Sequence, residues 1–505
     1  MKNTVKILSF VLALLMLATC FVACGGAEET DAESETVTET ETETENNLDA
    51  YGREIVADDI PADLNYEGAD NPVITFFTRN DNPIFSVEID ADQLIDETLN
   101  DAVYRRNLTV EERIDVEIRQ IAQLGNYGPH VEWLQTLRNA VNTKSGDFDA
   151  AAVYASQGSA LALEGIYYNV NKIDAINTEK PWWNGDVMDD LEIFGCTFFL
   201  GGDLAISQLS RAGIVVYNKT LFEKYYTDVN LYDMVEEKKW TIDELYDLTS
   251  PVWEDINGSG TVDDGDLVGI TGWAHSGANS YLDSWVAALG VSITKKNSDG
   301  IPELAFYSAR TVDAFEKLRM LHRENGGSLC VNSSGTSMIN ENAMFSTMSL
   351  ESCESLRDMT SPYGVLPLPM YDVDQGEYAT YPQNSCSVIT VISSLSDDRV
   401  EMVGTTLELM AAESYRQVLP EYCEVCLKSK YSADAEDAQM FDVIVDSVRI
   451  DLGFVFATNK IASINSLFRN LDRDFAQTYE SNASNYETSL EALIDALDDI
   501  ALTLG

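Results

Sequence analysis

Oxygen-bearing side chains recur at fixed intervals between Asp255 and Asp266. They occupy positions one, three and five of this stretch, and Gly260 stands where a metal-binding loop turns sharply. The spacing suits Ca²⁺, which takes about six to eight oxygen ligands. Asp266 closes the stretch where a glutamate is usual, so we expect weak binding with a structural role. The alternative is a polar turn that caps the preceding helix. The predicted ligands are Asp255, Asn257, Ser259, Thr261, Asp263 and Asp266.

A second group of polar and aromatic side chains directly follows predicted strands. Apolar runs end near Phe77, Tyr154 and Gly272, and loops at strand ends are where α/β proteins commonly place binding groups. The candidates at these ends are Arg79, Asn80, Asp81, Tyr154, Gln157, Trp273 and His275. Each half of the chain supplies polar side chains and one aromatic ring. We therefore expect a ligand to bind between the two halves.

The elements that would position these residues alternate along the chain. Predicted strands cover residues 73–77, 116–121, 150–154, 267–272, 364–369 and 387–392. Helices are predicted over 94–114, 131–141 and 312–323, from 281 onward, and through most of the chain after 399. Strand–helix–strand alternation is typical of a parallel sheet covered by helices. The chain is long for one core, so we predict two α/β lobes.

Five short segments, in this order, span most of the chain. They are Asp147-Phe148-Asp149, Pro181-Trp182-Trp183, Gly201-Gly202-Asp203, Val216-Tyr217-Asn218-Lys219 and Trp240-Thr241-Ile242-Asp243-Glu244-Leu245. In order and spacing they resemble the extracellular solute-binding proteins of carbohydrate ABC importers, the group that includes maltodextrin-binding proteins. The resemblance implies a type II periplasmic-binding-protein-like fold, with two lobes, a hinge and a ligand cleft between the lobes.

A carbohydrate ligand is also implied by this resemblance. Sugars present apolar ring faces and a rim of hydroxyls, so their sites need flat rings and planar amide, carboxylate or guanidinium groups. Asp203 lies at the predicted crossing between lobes, where family members often place a ligand-contacting carboxylate. Glu351 precedes a helix that would face the cleft. Of the adjacent Trp182 and Trp183, one can be a stacking platform while the other packs in the core, and we include Trp183 in the site.

The first residues look like an export signal. Lys2 and Lys6 precede an apolar run that ends at Ala23, and Cys24 then follows in a segment that resembles a lipobox, with Cys20 as a competitor. Residues 27–47 are nearly all Glu, Thr, Ser and Asp, which cannot bury enough apolar surface to fold. We predict a signal peptide over 1–23, lipidation at Cys24 and an acidic, disordered tether over 24–50. Lobe 1 is assigned to 51–205 plus 384–440, and lobe 2 to 206–383 plus 441–505.

The charge balance limits the choice of ligand. There are 85 Asp and Glu against 32 Lys and Arg, a net charge of -53, which repels nucleic acid and acidic substrates. Since the sequence has no cluster of Lys and Arg that could build a strongly basic pocket, we expect a neutral sugar, an oligosaccharide. The predicted protein is a monomeric binding lipoprotein on the extracellular face of the membrane, and it delivers its sugar to ABC transporter permease subunits.

Two other functions were weighed against this one. A secreted glycoside hydrolase needs only two carboxylates across a sugar, but acidic residues are too common here to discriminate, and no nucleophile or zinc motif occurs. We therefore expect no enzymatic activity. A surface glycan-binding adhesin could also use the tether, although repeated β-rich modules are missing. Cys423 and Cys426 have the spacing of a redox pair but lie in a predicted helix, which favours a packing role.

Overall fold

The computed structural model describes residues 55–272, 280–330, 334–427 and 435–504. The strands are β1 (Val73–Arg79), β2 (Glu117–Gln123), β3 (Ala150–Tyr154), β4 (Gly213–Asn218), β5 (Trp253–Glu254), β6 (Leu267–Gly272), β7 (Thr294–Lys296), β8 (Pro302–Leu304), β9 (Ser328–Cys330), β10 (Ala343–Ser349), β11 (Tyr363–Pro367) and β12 (Ser387–Val391). They alternate with helices over most of the described chain, because short β-branched and aromatic runs alternate with helix-spaced apolar residues.

The helices vary widely in length. The α-helices are α1 (Pro83–Val87), α2 (Thr98–Ile114), α3 (His130–Thr143), α4 (Ala155–Gly158), α5 (Gly185–Leu191), α6 (Ile206–Ser210), α7 (Lys219–Tyr225), α8 (Leu231–Glu236), α9 (Ile242–Thr249), α10 (Asp283–Ala288), α11 (Ala309–Arg319), α12 (Ser334–Ile339), α13 (Asp397–Glu413), α14 (Leu419–Leu427), α15 (Ala435–Ser447), α16 (Leu452–Phe456) and α17 (Phe475–Leu504). Short 3₁₀ or π helices lie at Ser159–Glu164, Val170–Lys172, Ser280–Leu282, Met320–Glu324, Leu350–Asp358, Val373–Gln375, Ser414–Val418 and Ile464–Leu467. Among the described residues, no helix has the length and apolar character needed to span a membrane.

The first sheet has the strand order β12-β3-β1-β2. β1 pairs in parallel with β2 and with β3, which confirms the parallel arrangement predicted for these strands, and β12 joins antiparallel to β3. β3 and β12 are buried along their whole length, as their unbroken apolar runs require. Apolar residues of α2 and α13 share one core cluster with these strands, so helices cover the sheet.

The second sheet has the order β11-β4-β10-β6-β5, and β9 also pairs with β6. β6 is parallel to β10 and β9, whereas β4 is antiparallel to β10 and β11. All residues of β4 are buried, and α15 packs against β11. Two sheets with their own helices confirm the predicted two-lobed α/β fold, while the residue boundaries of the lobes stay predictions.

Two chain segments join the sheets. Residues 200–212 lead into β4, and residues 368–386 lead from β11 into β12. The segments run beside each other, since Ala212 bridges to Pro382 and the Gln383 amide donates to the Arg211 carbonyl at 2.9 Å. Any movement of one lobe relative to the other must therefore bend these paired segments together.

A half-buried acid, Asp451, lies beside the second of these segments. The Tyr381 hydroxyl donates to one carboxylate oxygen of Asp451, and the other oxygen accepts the Phe454 amide at 2.6 Å at the start of α16. The Tyr381 ring stacks on Phe454 with 4.8 Å between centroids. Burial raises the pKa of Asp451 to about 6 in spite of these hydrogen bonds, which favour the charged form.

We predict that Asp451→Asn changes how stability depends on pH. The folded state binds the Asp451 proton more tightly than the unfolded state, so this group's contribution is present at low pH and is lost as pH rises through about 6. The free energy of unfolding of the parent, minus that of the variant, should fall by about 2 kcal/mol between about pH 4.5 and 7.5. Urea denaturation across this range measures it. Asp499→Asn, on the last helix, is the control, and a constant difference for Asp451→Asn would contradict the prediction.

Candidate functional site

The ends of β1 and β3 bring Arg79 and Tyr154 together at one edge of the first sheet. The two strands are parallel neighbours, so their carboxyl ends meet there. The Arg79 guanidinium carbon lies 5.3 Å from the centre of the Tyr154 ring and 3.7 Å from the centre of the Phe85 ring. Phe85 is held in α1, a short helix that begins at Pro83 and is capped by the Asn82 side chain. Arg79 itself is only 1% exposed.

A second guanidinium reaches the same ring from the segment that joins the sheets. The Arg211 guanidinium carbon lies 4.8 Å from the centre of Phe85. Arg211 Nη1 donates to Gln383 Oε1 at 3.0 Å and to Ser385 Oγ at 2.9 Å. Its Nη2 lies 3.6 Å from an oxygen of Glu351, which follows β10 of the second sheet. Phe85 is thus the point at which the first sheet, the joining segments and the second sheet meet.

A small cavity borders Arg211 at this meeting point. Its volume of about 20 Å³ is room for about one water molecule. Residues of the joining segments and of the second lobe enclose it, namely Arg211, Gly213, Ile214, Tyr281, Leu282, Ser284, Trp285, Thr347, Met348, Ser349, Leu368 and Gln383. An oligosaccharide does not fit in this space.

Several buried polar atoms around Phe85 have no hydrogen-bond partner within the described part of the chain. The donors are Nε and Nη1 of Arg79 and Nε of Arg211. The acceptors are Oδ1 of Asp81 and Oε2 of Glu88. Each buried atom left in this state costs roughly 1–3 kcal/mol. A ligand that both donates and accepts hydrogen bonds would satisfy donors and acceptors together.

Burial also shifts the protonation equilibria of these groups. Desolvation lowers the pKa of Arg79 to about 10, so the guanidinium remains charged at neutral pH. Desolvation raises the pKa of Glu351, while the nearby Arg211 charge opposes that shift. The pKa of Tyr154 is raised by burial as well, against the attraction of Arg79, Arg469 and Arg211 for its anionic form. At neutral pH the site therefore presents charged guanidiniums and a neutral phenol.

The structure gathers only some of the residues predicted to bind ligand. Arg79, Asp81, Tyr154 and Glu351 belong to the cluster around Phe85 or to its direct partners. Asn80 is exposed next to Arg79, and Gln157 is half-buried in α4, after Tyr154. Asp203 is half-buried in the first joining segment, where its amide donates to the Trp182 carbonyl at 3.0 Å. Trp273 and His275 lie outside the described residues.

Trp183 lies in the core of the first lobe. It is 2% exposed, and its indole N–H donates to one oxygen of Glu408 at 2.7 Å. Trp182 donates to the other oxygen at 3.1 Å. Glu408 is a fully buried residue of α13, so a single carboxylate fixes both indoles in the core cluster of the first sheet. The structure does not bring Trp183 to Phe85.

The stretch from Asp255 to Asp266 folds around its own two end carboxylates. Asp255 accepts the amides of Gly258, Ser259 and Gly260 at 2.6–3.1 Å. Asp266 is 1% exposed, and it accepts the Trp253 indole at 3.0 Å together with loop amides. Across the described residues, no group of three or more His, Cys, Asp or Glu side chains is arranged to hold a metal ion.

Sequence reasoning missed two residues at the centre of the cluster, Arg211 and Phe85. Phe85 looks like any apolar residue of a short helix, and Arg211 is one isolated cation in an acidic chain. One signal was available for Arg211, because it lies within the segment predicted to cross between the lobes.

No protein-family model matches the chain, and neither does any curated protein sequence. Solved structures do match it. UgpB from Mycobacterium tuberculosis, in complex with glycerophosphocholine, has a TM-score of 0.54 and 13% identity over 85% of this chain and 100% of that one. A cyclo/maltodextrin-binding protein complexed with maltotetraose has a TM-score of 0.52 and 12% identity over 85% and 97%. The GacH receptor of Streptomyces glaucescens GLA.O, studied with acarbose, has a TM-score of 0.50 and 12% identity over 85% and 98%.

These likenesses cover most of both chains in each comparison, and at such low identity they establish the fold. The two helix-covered sheets and the paired joining segments agree with them. We conclude that the chain has the two-lobed α/β fold of the solute-binding proteins.

Proposed function

We propose that this chain is the substrate-binding component of an ABC transporter and captures a neutral oligosaccharide outside the cell. One observation carries the proposal: buried donors and acceptors without partners surround Phe85, where the two lobes meet. A sugar hydroxyl donates one hydrogen bond and accepts others, so one ring can satisfy a guanidinium and a carboxylate at once. The apolar face of the same sugar can lie on an aromatic ring.

The charges of the cluster favour a neutral ligand over an acidic one. Arg79 and Arg211 face three carboxylates, those of Asp81, Glu88 and Glu351. An anionic ligand would gain from the guanidiniums but would be repelled by the carboxylates. A neutral polyol meets no such repulsion. Of the solved structures with this fold, one holds maltotetraose and another was studied with acarbose, which supports a carbohydrate.

A binding role is proposed instead of a catalytic one. The rival glycoside hydrolase would need two carboxylates on opposite sides of a sugar, one of them free to transfer a proton. Glu351 lies beside Arg211, and Glu88 accepts the Ser207 amide at 2.8 Å, so each carboxylate already faces a donor of the protein itself. Two of the similar solved structures are named as a cyclo/maltodextrin-binding protein and as the GacH receptor, which agrees with a binding role.

The remaining parts of the proposal concern location and partners. We propose that the chain is exported, lipidated at Cys24 and held at the extracellular face of the membrane by its acidic segment. The compact unit begins at Val56, shortly after that segment. A tether of this kind would leave the folded lobes free to deliver sugar to the permease subunits. Cys24 itself lies outside the described residues.

We predict that replacing Arg211 weakens sugar binding without unfolding the protein. Arg211→Gln removes a charge-assisted donor, and such bonds contribute roughly 1.5–3 kcal/mol, so affinity should fall about tenfold to a hundredfold. Thermal shift against a panel of neutral saccharides would identify a ligand, and titration calorimetry would measure it. Arg319→Gln is the control, because Arg319 makes its own ion pairs with Glu316 and Glu324.

Other outcomes would reject parts of this proposal. Tight binding of uronic acids or peptides, with none of neutral sugars, would reject the ligand class. Accumulation of shorter saccharides during the titration would indicate a hydrolase. Equal losses in Arg211→Gln and Arg319→Gln would remove Arg211 from the site.

We also propose that calcium binds the loop from Asp255 to Asp266 and has a structural role. The spacing of its oxygen-bearing residues supports this, and three amides hold Asp255 at the head of the loop. Asn257 and Asp263 already face each other, with 2.6 Å between the amide nitrogen and the carboxylate oxygen. Calcium would then join the two ends of a loop that follows β5 and precedes β6.

Calcium should raise the melting temperature of the parent protein, and Asp255→Ala should abolish this increase by deleting the first ligand. Melting with added calcium and with chelator measures the effect. The matched control is Asp264→Ala, which removes an exposed carboxylate of the same loop that is not a predicted ligand. Equal melting temperatures of the parent with calcium and with chelator would leave the loop as a polar turn.

A further inference from the structure

The loop that follows β2 is built directly on Arg79. A Cβ atom at Gly125 would lie 2.8 Å from Arg79 Cγ and 2.6 Å from Trp133 Cδ1, so only glycine fits there. The Asn126 amide donates to the carboxylate of Asp81. Residues 124–130 are thus fixed to the end of β1, at the edge of the cluster around Phe85.

Three rings lead from solvent to Arg79 across this loop. The Tyr127 side chain is 83% exposed, and its ring centre lies 6.0 Å from that of His130. His130 is half-buried, and its ring centre lies 6.1 Å from that of Tyr154. Tyr154 is 4% exposed and lies against the Arg79 guanidinium. The rings form one continuous series whose burial increases toward the cleft.

The exposed ring of Tyr127 adds little to the stability of this loop. Gly125 and the hydrogen bond to Asp81 already fix the backbone, and the Gly128 amide donates to His130 Nδ1 at 3.3 Å, which orients the imidazole. Burial of Tyr127 is slight, so its contribution to the core is small. A large ring held in a fixed place while facing water is a suitable platform for a ligand.

We propose that Tyr127 and His130 form an outer subsite that stacks the sugar units adjacent to the one bound at Arg79 and Arg211. This rests on the proposed function, and it adds the length of the ligand: an oligosaccharide long enough to leave the cleft across the rim of the first lobe. A monosaccharide or disaccharide would fill the inner site alone. Of the three rings, the sequence identified only Tyr154 as a candidate binding residue. It did not identify Tyr127 or His130.

The test is a titration of the purified chain with glucose oligosaccharides, from the disaccharide to the pentasaccharide, in α-1,4 and in β-1,4 linkage. Parent affinity should rise with length. Tyr127→Ala should leave the disaccharide affinity unchanged and lower that of the longest oligosaccharide about threefold to tenfold, as expected for the loss of one stacking contact. Tyr127→Phe keeps the ring and should behave as the parent does. Val131→Ala, an exposed neighbour at the start of α3, is the control.

Each other result has a definite meaning. If the parent binds the disaccharide and gains nothing with length, the outer subsite is wrong while the proposed function stands. If Tyr127→Ala loses the same factor at every length, Tyr127 supports the inner site, and the outer subsite is again wrong. If Val131→Ala weakens long oligosaccharides as much as Tyr127→Ala does, the effect belongs to the loop as a whole and the stacking role is rejected. If the parent binds no saccharide, both the proposed function and the subsite fail.

Discussion

Two guanidiniums share the ring of Phe85, and this contact joins the parts of the structure that matter for binding. Arg79 comes from the first sheet, and Arg211 comes from the segment that joins the sheets. Removing a guanidinium from water disfavours its charged form, which lowers the pKa of Arg79, and the nearby Arg211 charge acts in the same direction. The ring face, the Ser387 hydroxyl and the carboxylate of Glu351 offset part of the cost. The atoms left without partners are those that a ligand would complete.

The remaining architecture can be understood as support for this contact. The parallel pairing of β1 with β3 places Arg79 next to Tyr154, and Gly125 allows the following loop to pack on Arg79. From the other lobe, Glu351 reaches Arg211 after β10. Since the groups come from both lobes, their arrangement depends on how the joining segments bend. Tyr381 of the second segment is buried and hydrogen-bonded to the half-buried Asp451.

The sequence predicted β1, β2, β3, β6, β11 and β12 because their signal is local, but it did not predict β4 or β10, which lie inside the second sheet. The run 73–77 became β1 at Val73–Arg79, and 150–154 became β3 with the same bounds. The helix predicted from residue 94 begins instead at Thr98, because the Glu97 carboxylate caps the amides of Leu99 and Asn100. Strand ends also located Arg79 and Tyr154, since parallel strands end at a common edge.

Contacts made between distant segments could not be predicted in the same way. Arg211 lies about 130 residues after Arg79 in the chain, and only the fold brings both to Phe85. Trp183 was predicted as a platform from its ring alone, but its position depends on Glu408, which lies on a helix far along the chain. The small cavity likewise depends on how the joining segments pack on β4 and β10, which no local pattern encodes.

The central claim is that the two lobes close around a saccharide at the Phe85 cluster. Arg79 and Arg211 are only 1% and 5% exposed, so a ligand can reach both guanidiniums only if the lobes first separate. Small-angle X-ray scattering of the purified chain, with and without a saturating saccharide, measures this directly. The radius of gyration should be larger without the saccharide and should decrease when it is bound. Identical scattering profiles, with binding established by calorimetry in the same samples, would contradict closure of the lobes around the ligand.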